Sequence, residues 1–132
     1  MRFGRVLLAV LGTLFVAQGA LQFFQPELLT NLIGVRAQSI TGRIELQVIY
    51  GGLHIALGSV CLWGAANDGN TRAALTMMFF VAVGVAVPRV GLGFYYQDFS
   101  GYSLLAMGME VALLAVILVL LKKYRQKNEH IA

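Results

Sequence analysis

Arg89, Glu110 and His54 are ionisable residues set inside long apolar stretches of this sequence, and Gln18, Gln22, Gln47 and Tyr50 share that setting. An ionisable group at the centre of a membrane helix costs roughly 2.5 to 3.5 kcal/mol on insertion scales, so each needs a partner or a wet cavity. Arg89 and Glu110 have opposite charge and can pair. In one reading the pair fixes helix register and the glutamines bond across helices. In the other, all seven residues line a polar pocket in which Arg89, His54 and the glutamines hold a head group. Glu110 and His54 are the candidates for acid or base chemistry, since their side chains exchange protons. His54 alone reads first as a hydrogen-bonded interior histidine. No metal site is expected, because only Cys61, two turns away, shares its stripe.

Spacing supports a common face. In the stretch from 44 to 63, Gln47, Tyr50, Gly51, His54, Gly58 and Cys61 fall on one stripe at about 100° per residue. Gln18, Gln22 and Gln25 do the same upstream, as do Ala82, Ala86, Arg89 and Gly93, and then Ser103, Ala106 and Glu110. At about 1.5 Å rise per residue these polar groups reach from one boundary to the midplane, with His54 deepest at roughly 15 Å. The other half, as in the run from Val111 to Leu121, is almost purely apolar.

The elements that must carry these residues follow from composition. The chain has 132 residues, 58% hydrophobic and 12% charged, with a mean hydropathy of +0.75. A soluble domain carries about twice that share of charge, and a globule this small could not hide so many apolar residues. Four stretches, about 5–24, 44–63, 73–94 and 102–121, meet the requirement of about 20 residues for a bilayer crossing. The fold class expected is an all-α integral membrane four-helix bundle, a single domain. Between the first two spans, Pro26, the Leu28, Leu29, Leu32 and Ile33 pattern and Gly34 predict a short amphipathic helix at the interface. The 64–72 segment, GAANDGNTR, reads as a polar turn. Pro88 is expected to kink the third helix and free the Gly84 carbonyl toward the pocket. Gly51, Gly52, Gly58, Gly84, Gly91 and Gly93 read as close-packing residues. Glu45 lies off the His54 stripe, within reach of interfacial water or Arg43.

Orientation follows from the basic residues, which are retained on the cytoplasmic side. With the N-terminus inside, the inner flanks hold Arg2, Arg5, Arg72, Lys122, Lys123, Arg125 and Lys127, and the outer flanks only Arg36, Arg43 and Arg89. Both termini are therefore expected in the cytoplasm. Phe94, Tyr95, Tyr96, Phe99 and Tyr102 then mark the outer interface, and Trp63 and Tyr124 the inner one. In the competing reading the first segment is a signal peptide, with Ala17, Gly19 and Ala20 near a cut site, but the helix runs on through Leu21, Phe23 and Phe24. The basic tail from 122 to 132 reads as a positive-inside anchor or an anionic-lipid patch. The net charge of +4 implies no nucleic acid, since that tail is short and carries no recognition module. The single cysteine excludes an internal disulfide, a CxxC pair and thiol-relay chemistry.

TGRIELQVIYGGLHIALGSV in the second span, and PRVGLGFYYQDFSGYSLLAMGMEVALL across the third and fourth, resemble an uncharacterised bacterial family of small four-helix membrane proteins. It is grouped with the DoxX and DoxD-like proteins and carries a domain-of-unknown-function label. The resemblance spans nearly the whole chain, through Pro26, Gly34, Glu45, Tyr50-Gly51-Gly52, Gly58, Arg89, Gly91, Gly101 and Glu110. The family pattern places arginine two residues after the glutamate, where this chain has Gln47. The resemblance implies a bacterial inner-membrane location, and the wider group includes proteins associated with quinone-linked sulfur oxidation.

Three functions remain open. The first is a binding or accessory membrane protein whose outer-half pocket takes a lipophilic ligand (quinone, isoprenoid or lipid), with the apolar half receiving the tail. The second is a membrane enzyme acting on such a molecule through Glu110 or His54. The third is a proton-coupled exporter, although the first helix lacks the carboxylate that small multidrug transporters carry there. Partners beyond the bilayer and that ligand would be a second copy or a larger membrane complex.

Overall fold

Stretches this apolar satisfy their backbone hydrogen bonds within a helix, and four helices are long and apolar enough to cross a membrane: Arg2–Phe24, Ile40–Ala66, Asp68–Tyr96 and Gly101–Tyr124. A computed structural model describes the backbone of residues 2–129 and the side chains of 2–29 and 31–124. Among these residues all regular structure is helical. The elements are α1 (Arg2–Phe24), α2 (Leu28–Ile33), α3 (Ile40–Leu46), a π-helical turn (Gln47–Gly52), α4 (Leu53–Ala66), α5 (Asp68–Tyr96) and α6 (Gly101–Glu129). The helical α6 carries the expected tail as far as Glu129, while the side chains of Arg125 and Lys127, and all of 130–132, lie outside the described residues. The chain divides into two units, one up to Thr71 and one from Arg72 onward.

In the first unit, α2 forms where the sequence predicts it. Leu29 is buried against the unit, and Gly34 ends the helix at φ +74°, a conformation that costs glycine little. The second span begins at Ile40 instead of 44, because Ser39 caps it: its hydroxyl accepts from the Gly42 N–H at 3.0 Å. The expected 64–72 turn shrinks to one residue, Asn67, which is extended and breaks the helix. Its side chain accepts from the Gly69 N–H at 2.9 Å and its carbonyl from Asn70 at 3.1 Å, so asparagine and glycine act here as a cap. Thr71 closes the corner by donating to the carbonyls of Gly64 and Asn67. Arg5 adds a cationic cap on the α4 C-terminus, donating from Nε to the Ala65 carbonyl at 2.8 Å and pairing with Asp68 at 3.6 Å.

The span from Ile40 to Ala66 lies against α1 through two glycine pairs. A Cβ on Gly12 would stand 2.8 Å from the Gly58 carbonyl oxygen, and one on Gly58 would stand 2.7 Å from that of Gly12. Further along, a Cβ on Gly19 would stand 2.7 Å from the Gly51 carbonyl oxygen, and one on Gly51 would stand 2.7 Å from Phe23 Cβ. The two pairs stand seven residues apart on each helix and bring the backbones into close approach. Gly51 and Gly58 therefore pack as expected. By contrast Gly52, Gly84 and Gly91 face open space, and close packing does not explain them.

In the second unit, α5 runs through Pro88 as one helix. Its buried stripe is Leu75, Met78, Ala82 and Ala86, and Arg89 stands at the next position of that stripe. On α6, Ala106, Ile117, Leu120 and Tyr124 are buried at helical spacing, with Ser103 and Glu110 on the same stripe. The four-residue link from Gln97 to Ser100 is ordered by its own hydrogen bonds. Gln97 takes the left-handed conformation (φ 55°), and the Asp98 N–H bonds back to the Gly93 carbonyl at 3.0 Å, closing α5 in a Schellman turn.

Candidate functional site

A π turn takes one more residue per hydrogen-bonded loop than an α turn and recurs at functional sites. Here it carries Gln47, Tyr50, Gly51 and Gly52, and the Leu53 N–H reaches back to the Val48 carbonyl. Adjacent glycines make the wider turn accessible. Gln47 ties it to α1, donating from Nε2 to the Phe23 carbonyl at 2.7 Å. One turn on, the His54 ring stacks on Tyr50 at 6.4 Å and meets Phe15 of α1 at 5.8 Å. His54 Nδ1 and Gln22 Oε1 are buried with no hydrogen-bond partner among the described residues. Such groups cost free energy until a donor or water reaches them. Gln18 stands apart from this cluster: it is exposed, and the buried face of α1 is Gly4, Leu8, Gly12, Gly19 and Gln22. Glu45 is also exposed, and Arg43 pairs with Glu27 at 2.8 Å instead of with Glu45.

The second unit holds the charged pair. Arg89 Nε donates to Glu110 Oε1 at 2.7 Å. No other bond engages the guanidinium among the described residues, so its terminal nitrogens are free to donate elsewhere. Glu110 Oε2 is buried with no hydrogen-bond partner among the described residues. Arg89 lines a cavity of about 510 Å³ with Val85, Leu92, Gly93, Tyr96, Asp98, Ser103 and Met107. Gly84 is exposed and outside this lining, so its carbonyl does not supply the polar contact that the Pro88 reading assigned to it.

One wall of the cavity is the link between α5 and α6. The Asp98 carboxylate accepts from the Ser103 hydroxyl and from the Ser100 N–H at 3.1 Å. These bonds, the Ser103 bond foremost, hold the Asp98 carboxyl below its ordinary value. Directly beside it is Gln97, the one non-glycine residue with positive φ among those described. Backbone strain of that kind costs about 1 kcal/mol or more and clusters at binding and active sites.

Of the seven residues singled out from the sequence, the structure joins Gln47, Tyr50 and His54 around the π turn, with Gln22 on the facing helix, and joins Arg89 to Glu110. Tyr96, Asp98 and Met107 are cavity residues that the sequence reading did not select. For Asp98 the signal was present, since Asp-Phe-Ser-Gly-Tyr-Ser carries the capping residues expected at a helix start. No group of three or more His, Cys, Asp or Glu residues suited to a metal occurs among the described residues.

Residues 3–121 match a domain of unknown function, DUF4345. The chain belongs to that family. Its match covers all four potential spans almost in full, so the π turn, the Arg89 and Glu110 pair and the cavity beside it all lie within the DUF4345 domain. Neither the curated proteins nor the solved structures provide a match to the chain.

Proposed function

We propose that this DUF4345 protein is an integral protein of a bacterial inner membrane, with both termini in the cytoplasm, that binds a lipophilic molecule with a polar head at Arg89, the arginine that Glu110 holds in place. The carrying observation is the 510 Å³ cavity in which Arg89, held at Nε by Glu110, keeps its terminal donors unused. That volume lies in the range of small-molecule sites. Val85, Leu92 and Met107 supply apolar wall, while Tyr96 and Ser103 add hydroxyls. A carbonyl or hydroxyl head accepts from Arg89, which fits a quinone, an isoprenoid alcohol or a lipid. The asymmetry of basic residues supports the orientation, and the resemblance to the DoxX-like group supports the bacterial setting. Service as an accessory subunit in a homo-oligomer or larger membrane complex is compatible with this binding role.

Glu110 Oε2, buried with no partner among the described residues, favours a second reading, in which the ion pair rearranges to bring the carboxyl to the bound head group for proton exchange and the protein is an enzyme. Within the first unit, His54 is a separate candidate base, through an Nδ1 with no partner among the described residues. Purification in mild detergent, followed by mass spectrometry of the extracted small molecules, tests the binding reading. A quinone, isoprenoid or lipid alcohol retained by the wild type and lost from Arg89→Gln is expected. Identical extracts from both proteins would overturn it.

A further inference from the structure

The connection between the first two spans makes a second cavity, of about 380 Å³, lined in part by Pro26, Glu27, Arg36, Gln38, Ile40 and Arg43. It forms because Gly34 ends α2 and Ser39 starts α3, and Arg36 and Arg43 both line it. Glu27 balances one of these charges, pairing with Arg43 at 2.8 Å. Arg36 has no carboxylate partner among the described residues, so the cavity keeps an excess positive charge. Ile40 of its lining is 81% exposed, and Ile44, one turn further along α3, is 52% exposed. The cavity therefore combines an arginine that has no carboxylate partner among the described residues with exposed isoleucine at the start of the second potential span.

We propose that this cavity is a headgroup site for an anionic phospholipid, with the phosphate on Arg36 and Arg43 and an acyl chain along Ile40 and Ile44. Guanidinium groups bind phosphate oxygens through paired N–H donors. A phosphate diester with an acyl tail satisfies both the charge and the apolar face, whereas free phosphate satisfies only the first. This site is independent of the Arg89 cavity and rests on the membrane reading of the four helices.

The test uses the full chain in uncharged detergent, with native mass spectrometry at equal mole fractions of phosphatidylglycerol and phosphatidylcholine of the same chain length. Wild type should bind phosphatidylglycerol preferentially. Arg36→Gln should reduce that preference about five-fold, the worth of one basic residue near an anionic lipid surface. Gln38→Glu, which leaves both arginines in place and adds a negative charge to the lining, should lower it in the same direction, and so serves if the arginine variant fails to fold. Equal binding of the two lipids, or an unchanged preference in both variants, would overturn the proposal. So would a preference removed by Lys122→Gln with Lys123→Gln in place of Arg36→Gln, which assigns the lipid to the basic end of α6. Displacement of the lipid by excess inorganic phosphate would identify a free-phosphate site and overturn the lipid assignment.

Discussion

Replacing Arg89 by leucine leaves the Glu110 carboxylate without its counter-charge in an apolar unit, and replacing Glu110 does the same to Arg89. At 2.7 Å between Nε and Oε1, and with an effective dielectric of about 20, the attraction is about 6 kcal/mol. Desolvation of the two ions offsets several kcal/mol of this. Both side chains also keep some exposure, 36% for Arg89 and 22% for Glu110, which favours the low end of the remaining range. A coupling energy of about 2 to 3 kcal/mol is therefore expected, with each single change costing more than the double change relative to its partner's background. The cycle is measured by unfolding in mixed micelles, followed by near-ultraviolet circular dichroism. Tyr95 and Tyr96, whose rings meet edge to face at 4.9 Å, report on the second unit. A coupling energy under about 0.5 kcal/mol, the usual limit of additivity between independent sites, would refute the reasoning.

Gly58→Ala should destabilise the protein by about 1 to 3 kcal/mol, since its Cβ meets backbone at 2.7 Å; Gly84→Ala, facing open space inside α5, should stabilise it by about 0.5 to 1 kcal/mol. Thermal denaturation of the pair in detergent checks both signs. Gln97→Gly should raise the midpoint, relieving a left-handed residue worth about 1 kcal/mol. Asp98 contributes stability at neutral pH because its folded carboxyl titrates below the unfolded value of 3.8. That contribution is fully present above 3.8 and is lost as pH falls through the lower folded value. The wild type should therefore lose more stability than Asp98→Asn on acidification through this window, and parallel pH profiles would contradict the assignment.

Four spans were legible because hydropathy sums over about 20 residues, so no single position decides the outcome. Their ends were not, because caps act at single residues: Ser39 starts the second span four residues early, and Asn67 alone replaces a nine-residue turn. Arg89 and Glu110 were legible as a pair, since opposite charges inside apolar helices have few alternatives. The residues around the π turn were only partly legible, because a helical wheel at 100° per residue assumes the regularity that Gln47–Gly52 lacks. Gly12 and Gly19 were missed although their seven-residue spacing matches that of Gly51 and Gly58; a search of the two helices for matching small-residue spacings would have found them. The Asp98 wall of the cavity depends on how a four-residue link folds back, which periodicity does not encode.

The proposal that the cavity at Arg89 holds a ligand is tested most directly by the reactivity of a cysteine placed in its lining. In a Cys61→Ser background, purified Met107→Cys is treated in detergent with a water-soluble thiol reagent, first after its bound lipophilic molecules are stripped and then after the extracted lipophilic fraction is restored. Reaction in the stripped protein and protection by the restored fraction are predicted. Equal reaction with and without that fraction, or none in either state, would contradict a ligand site and leave the Arg89 and Glu110 pair a structural one.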